Sequence, residues 1–443
     1  MTQAPTPVAL EGHQTSQHVR QLIWRHATGR FAWFVLGVVT TLGVFGLRDL
    51  VFPPPPHNEL VILSGVDQSA GGQRQVLVDR WNELHPDQTA RIEPAGDDAD
   101  KQHSHMVGEA QSGASGVDIY NLDVIWIAEF AAAGYIRPLD EDSIPVKDFI
   151  KATVDTCRYD SKLWALPFNT DAALLYYNTN VFGRDQSKAN LPNVLPPRQN
   201  DMTAMELANP GLKAGFVTQL YGYEGLTVNA LEAIWAANGD ILDANNQVVI
   251  DHKAALDGLA ALANGLEGQP PAVLSDSKGY REGQSRAAFR RGDAALMRNW
   301  PVAYSQLKAD PAMKDFDVAP WPTPSVLGGQ NLAIASDSRN PRAAQELIEF
   351  LTSEESQRQL FRDGGLPATR NAVYGDPTVV AARPYAEDLL DAFERARPRP
   401  LTPHYALFSS VFQKIVVYAL NNHGRLPDNA VSQLTAALQG RRE

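Results

Sequence analysis

From Leu60 onward, short β-branched runs alternate with amphipathic segments, and this rhythm limits the fold more than any other feature of the chain. Leu60–Ser64, LVILS, reads as a buried strand. Gln73–Leu84 follows a Gly-Gly pair, carries Val76, Leu77, Trp81 and Leu84 at helical spacing, and stops at Pro86. Arg91–Glu93 predicts a second strand, Met106–Ala110 a second helix, and Val117–Tyr120, VDIY, a third strand. Strand, helix and strand in succession indicate an α/β lobe with a mainly parallel sheet. The alternation continues with a helix over Trp126–Ala133, strands over Lys162–Pro167 and Ala173–Tyr177, and helices over Leu226–Asn238, Ala254–Leu266 and Tyr280–Arg290. A strand at Ala294–Met297 and helices at Pro341–Leu351 and Ser353–Phe361 complete it. A chain of 443 residues is too long for one ordinary domain and suits two domains or lobes.

Composition removes several classes of function. A net charge of -12 disfavours a phosphate backbone as partner, so no nucleic acid is expected. The single cysteine, Cys157, excludes an intrachain disulfide and a thiolate zinc cage. A mean hydropathy of -0.27 excludes a multi-span membrane protein. No P-loop, Gly-x-Gly-x-x-Gly, Gly-x-Ser-x-Gly or His-Glu-x-x-His is present, so nucleotide, dinucleotide, esterase and zincin chemistry have no sequence support. His103-Ser104-His105 reads as a solvated pair, because no third ligand cluster lies near it. No cofactor and no metal are expected.

One membrane segment remains open. Phe31–Leu47, FAWFVLGVVTTLGVFGL, carries no charge and as a helix spans about 26 Å. Leu50, Val51 and Phe52 extend the apolar band, and Arg20, Arg25 and Arg30 precede it against one acid, Glu11. Positive flanks stay inside, which predicts a cytoplasmic leader over 1–30, a transmembrane signal-anchor over 31–52 and the remainder outside the cell membrane. A cleaved signal peptide and a helix of a soluble core are the competing readings. No cysteine follows the apolar run, so a lipid anchor is excluded. Pro53–Pro56 favours a polyproline spacer of roughly 12 Å within 53–58.

Three loop clusters combine carboxylates, amides and aromatics. Asn121–Trp126 follows the strand VDIY, Asn169–Asp171 follows Trp164 and Pro167, and Met297–Pro301 follows the strand at Ala294. Sugars need this mixture, since ring faces stack on indoles while hydroxyls bond to Asp, Asn and Arg. Ligands of open α/β sheets bind beyond strand C-termini. Core packing explains each tryptophan taken alone, and helix capping each aspartate. The argument rests on all three clusters ending predicted strands.

These stretches are recognisable. DIYNLDVIWIAEFAAAGYIRPLD (118–140), WALPFNTDAALLYYNTNVF (164–182), AFRRGDAALMRNWPVAY (288–304), GGQNLAIA (328–335) and NPRAAQELIEFLTSEESQRQLFRDGGLPATR (340–370) occur in one order. RPRPLTPHY (397–405) adds to them. From about residue 59 to its end the chain resembles the extracellular solute-binding proteins of ABC importers, in the family-1, maltose/trehalose-type group. The resemblance implies an α/β, two-lobed periplasmic-binding-protein-like fold of type II, preceded here by the one N-terminal transmembrane helix. It places 59–167 and 301–350 in an N-terminal lobe and 168–300 and 351–443 in a C-terminal lobe. The crossings would fall near Pro167–Asp171, near Trp300 and within Ala335–Leu351.

By the same resemblance Asp123 and Asp171 bond sugar hydroxyls and Trp300 stacks on a ring. Trp126 and Asn169 accompany them in the same clusters. The Gly329 backbone and Arg370 also contact ligand. Asp67 stands where many members carry a polar ligand after the first strand. Gln330 replaces the tryptophan that often follows the Gly-Gly loop, which puts trehalose and maltose specifically in doubt. The implied function is capture of a carbohydrate, a di- or oligosaccharide, for delivery to ABC permease subunits by a monomer. A membrane-tethered sugar sensor with the same lobes is the alternative. A glycoside hydrolase using Asp123 and Asp171 as a carboxylate pair is a third reading.

Overall fold

The computed structural model describes residues 59–113, 116–183 and 191–442. The expected leader, anchor and spacer, residues 1–58, lie outside them. Among the described residues no helix is long and apolar enough to cross a membrane.

Eleven strands are named here: β1 (Glu59–Ser64), β2 (Thr89–Pro94), β3 (Ile119–Asp123), β4 (Arg158–Tyr159), β5 (Lys162–Leu163), β6 (Ala165–Asp171), β7 (Leu174–Asn178), β8 (Ala214–Val217), β9 (Ala294–Asn299), β10 (Phe316–Pro320) and β11 (Gly328–Ile334). The first sheet has the order β2-β1-β3-β11-β6, and the second β10-β7-β9-β8. β1 lies parallel to β2 and to β3, as crossover helices require, whereas β11 runs antiparallel to both β3 and β6. The helix Gln73–Leu84 covers the first sheet. It buries Arg74, Leu77, Val78 and Trp81, a spacing of three, one and three residues, while Val76 and Leu84 are exposed. The apolar face is thus rotated from the one predicted, and a charged residue, Arg74, belongs to it.

The chain passes from the first sheet to the second between β6 and β7, with Ala172 and Ala173 fully buried between them. It returns between β10 and β11. The expected crossing at Trp300 is therefore corrected: β10 pairs antiparallel with β7 from Phe316↔Asn178 to Pro320↔Leu174, so this part of 301–350 belongs to the second sheet. The apolar alternation of FDVAP lets it sit as an edge strand there, and proline at its end stops the ladder.

The helix Glu224–Ala236 is buried from Glu224 through Trp235 and packs on the helices Lys253–Gly265 and Tyr405–Leu420. A helix apolar on all sides belongs inside a lobe. It nonetheless carries two buried acids, Glu224 and Glu232, each of which needs a partner of opposite charge.

Candidate functional site

The register of the first sheet assembles one wall of a cleft. Gln330 of β11 pairs with Asp123 of β3 on one side and with Asn169 of β6 on the other, so these three polar residues form a row across the sheet. Gly328 pairs with Asp171. Gly329 has φ 130°, and a Cβ there would lie 2.3 Å from the Asn169 carbonyl oxygen, so only glycine lets β11 approach β6 this closely. The Gly329 carbonyl accepts from the Val124 amide at 3.2 Å, which ties β11 to the end of β3.

A cavity of about 800 Å³ opens beyond this wall. Asp67, Asp123, Asp171, Trp300, Gly329 and Gln330 line it, and so do Arg74, Glu224, Arg281 and Arg399, which sequence reading did not single out. Asn169, Trp126 and Arg370 do not line it. Asn169 is buried behind the wall, where its Oδ1 accepts from Arg74 Nη2 at 3.3 Å and its Nδ2 donates to Asp171 Oδ2 at 3.4 Å. Trp126 is buried in the first lobe's core and borders a separate cavity of about 250 Å³ with His103, Glu224 and Tyr405. Arg370 turns to the C-terminal end of the helix Pro341–Leu351. Its Nε donates to the Thr352 carbonyl at 2.9 Å and its guanidinium lies 3.9 Å from the Phe149 ring centroid. A cation favours the negative end of a helix, which explains the placement. Of the histidine pair, His105 is exposed as read, whereas His103 is partly buried and hydrogen-bonded to Glu129 at 2.7 Å. Among the described residues no group of three or more His, Cys, Asp and Glu side chains could hold a metal.

Asp67 is committed to its own loop. Its Oδ1 accepts from the Ser69 amide and its Oδ2 from the Arg74 amide, both at 2.9 Å, which closes the loop onto the first turn of the helix. Arg74 reaches the cleft floor from that turn. Its guanidinium donates to Ser64 Oγ, Asn169 Oδ1 and Gln330 Oε1, the last at 2.9 Å, while its buried Nε has no partner among the described residues. Burial lowers its pKa, against the pull of Asp67 and Asp171.

Of the carboxylates that line the cavity, Asp123 and Asp171 stand in different states. Asp123 receives Arg399 Nη2 at 3.0 Å, and the same guanidinium gives Nη1 to Glu224 at 2.8 Å. Glu224 also accepts from the Tyr405 hydroxyl and from Ser409 Oγ, each at 2.6 Å. Burial raises the Glu224 pKa, with Arg399 and the two hydroxyls opposing it. Asp171 has no such cation in contact. Desolvation raises its pKa from 3.8 to about 7, the charges of Arg74 and Arg298 pull it down, and Asp123 pushes it up. Its Oδ1 is covered and, among the described residues, has no hydrogen-bond partner.

Trp300, half-buried, lies beside this wall, where a Cβ on Gly328 would come within 3.4 Å of the indole and 3.3 Å of Asp171 Cβ. Its amide donates to Asn299 Oδ1, and its carbonyl accepts from the Tyr176 hydroxyl at 2.8 Å. Contacts between lobes close the cleft around these groups. Besides Arg399–Asp123, Arg281 pairs with Asp98 at 3.2 Å, and Gln306 Nε2 donates to the Gln68 carbonyl at 3.2 Å. A tryptophan, a covered carboxylate oxygen without a hydrogen-bond partner among the described residues, and buried amides in a cleft between two lobes suit a small polar ligand.

Two lobes with such a cleft define the class of solute receptors, and comparison with known proteins gives the family. The family model described as bacterial extracellular solute-binding protein matches residues 66–358, and the chain belongs to that family, the binding proteins of ABC importers. A probable ABC transporter-binding protein of Deinococcus radiodurans is 30% identical over 343 residues, which cover 73% of this chain and 80% of that one. The maltose-bound MalE3 of T. maritima superposes with a TM-score of 0.77 at 30% identity, covering 86% of this chain and 99% of that chain. The GacH receptor of Streptomyces glaucescens, solved unliganded and with acarbose, gives 0.73 at 21% identity, with 87% and 99% covered, a likeness of fold.

Proposed function

We propose that this chain captures a carbohydrate, a di- or oligosaccharide, between its two lobes and presents it as a monomer to an ABC permease. The observation that carries the reading is the juxtaposition, on one cavity, of Trp300 and Asp171, whose Oδ1 has no hydrogen-bond partner among the described residues. A pyranose ring offers an apolar face to the indole and hydroxyl donors to the carboxylate. MalE3, the maltose-bound relative, supports the ligand class. Of the residues singled out in the sequence, Asp171, Trp300 and Gln330 are proposed to touch ligand. Asn169 positions Asp171, Asp123 joins the lobes, and Asp67 and Gly329 shape the wall.

A thermal-shift screen against mono-, di- and oligosaccharides tests the reading, because a ligand of the native state raises apparent stability. For the best ligand, Trp300→Ala should lose about 2 kcal/mol of calorimetric affinity, the range of buried aromatic hot spots. Unchanged affinity would remove Trp300 from the site. Recovery of the bound oligosaccharide intact after long incubation separates this reading from a hydrolase.

Residues 31–52 are proposed to hold the lobes at the outer face of the cell membrane, with residues 1–30 inside. The support is the uncharged run and its basic flank. Full-length chain in the soluble fraction would reject the anchor. The permanent tether is also what a sensor would need, and loss of sugar uptake on deletion of the gene distinguishes an importer from a sensor.

A further inference from the structure

Trp300 has two faces, and only one of them is available. The guanidinium carbon of Arg298 lies 3.7 Å from the centroid of its ring. Arg298 is 1% exposed and does not line the cavity, whereas Trp300 does, so the cation covers the side of the indole turned away from the cleft. Arg298 lies at the end of β9 two residues before Trp300, the spacing that returns a side chain to the same face of a strand.

Arg298 is itself fixed. Its Nε donates to Glu232 Oε2 at 3.1 Å and its Nη2 to Oε1 at 2.8 Å, a bidentate pair. Glu232 is 2% exposed, and its Oε1 also accepts from the Val326 amide at 3.1 Å, just before the chain returns to β11. Packing alone does not call for this pair. Apolar residues of similar volume replace buried ion pairs at little cost or with a gain in stability. What apolar residues do not supply is a planar cation that stacks flat on an indole, a property of arginine and not of lysine.

We propose that Arg298 and Glu232 are a positioning pair that clamps Trp300 from behind and makes it a rigid, one-faced platform for ligand. The inference rests on the carbohydrate reading only for what lands on the platform. The clamp can be tested without ligand.

The full-length chain carries eight tryptophans, so Trp300 is isolated as the difference between each background and its Trp300→Phe counterpart. In the neutral double variant Arg298→Met, Glu232→Gln, acrylamide quenching of Trp300 should rise about twofold, as the indole loses its stacked partner. Arg298→Lys keeps the charge but not the plane, and its quenching should lie between wild type and the double variant. It also carries the comparison if the double variant fails to fold. Equal quenching of Trp300 in wild type and Arg298→Lys, or in wild type and a folded double variant, overturns the proposal. With maltose as probe, the double variant should bind about tenfold more weakly, within the range for a displaced aromatic anchor. Wild-type chain that binds no maltose or longer oligosaccharide would count against the carbohydrate reading, and the quenching comparison would still decide the clamp.

Discussion

Asp123 and Asp171 end the two strands that flank β11, both pair in register with it, and both face the same cavity, yet they behave as opposites. Asp123 is met by Arg399 from the other lobe and takes part in an ion network with Glu224, Tyr405 and Ser409. Among the described residues Asp171 meets the Asn169 amide at 3.4 Å and keeps one covered oxygen unbonded, and burial pushes its pKa up to about 7. The end of a strand makes an aspartate a candidate. What arrives from across the cleft decides whether it closes the lobes or waits for a ligand.

The contrast breaks most visibly at Arg399. Removing one partner of a buried network leaves the other charge uncompensated, so Arg399→Ala should cost about 3–5 kcal/mol of unfolding free energy, read by urea titration. Arg399 is 3% exposed and Glu224 7%, which puts them in the buried regime. A loss under about 1 kcal/mol would mean that Asp123 and Glu224 find water or protons as readily as Asp171 does, and the distinction between the two carboxylates would fall.

How much of this was legible in the sequence follows from the range of the interactions. LVILS, VDIY and the helices Leu226–Asn238 and Pro341–Leu351 were readable because their apolar periodicity is local. Asp171 and Trp300 were legible as candidates because they stand in clusters at strand ends. Arg399 and Asp123 lie 276 residues apart, and no pattern in the chain announces their meeting. A signal did exist for the buried cations: Glu224 and Glu232 interrupt a helix otherwise apolar on all sides, and two such acids require Arg399 and Arg298. Arg74 hid on a helix face whose apolar members were misjudged by one or two positions. Arg370 stands in a stretch that marks the family, LPATR, but its side chain was drawn to a helix terminus. The lobe boundary was misplaced because Trp300 looks like an exit, whereas β10 adds one more strand to the second sheet before the chain leaves.

Asp171 gives the comparison a pH axis. Its folded pKa of about 7 exceeds the ordinary 3.8, so between those values the folded chain holds a proton that the unfolded chain has lost. This group's contribution to stability therefore falls as pH rises through that window and is level above about 7. Asp171→Asn should remove that slope in urea titrations of the free protein and leave the Arg399 network intact. Ligand reverses the preference, because a hydroxyl donated to Oδ1 favours the carboxylate. Affinity should thus be tighter at about pH 8 than at about pH 5.5, with a proton released on binding. Calorimetry in buffers of different ionisation enthalpy reads that proton, and a flat affinity profile with no release would show that Asp171 is not the open acceptor.

The smallest effect is expected at the second cross-cleft ion pair. Arg281 reaches Asp98 at 3.2 Å as Arg399 reaches Asp123 at 3.0 Å, so the two bridges look alike by distance. Their surroundings differ. Arg281 is 31% exposed and rests on the rings of Tyr221 and Tyr223, at 4.7 and 5.4 Å, while Arg399 is enclosed. Asp98 is itself 6% exposed, but without Arg281 it keeps Lys101 Nζ at 3.4 Å and the Lys101 amide at 3.0 Å, and tyrosine stacking holds the arginine in place whether or not the lobes meet. Arg281→Gln should consequently change unfolding free energy by less than about 1 kcal/mol. Its mark should be on closure, where the free chain shifts toward a larger radius of gyration in small-angle scattering and wild-type chain does the same when salt is raised. A loss of stability comparable to that of Arg399→Ala, with no change in scattering, would make Arg281 a structural residue and leave Arg399 as the cross-cleft ion pair that sets the closed form.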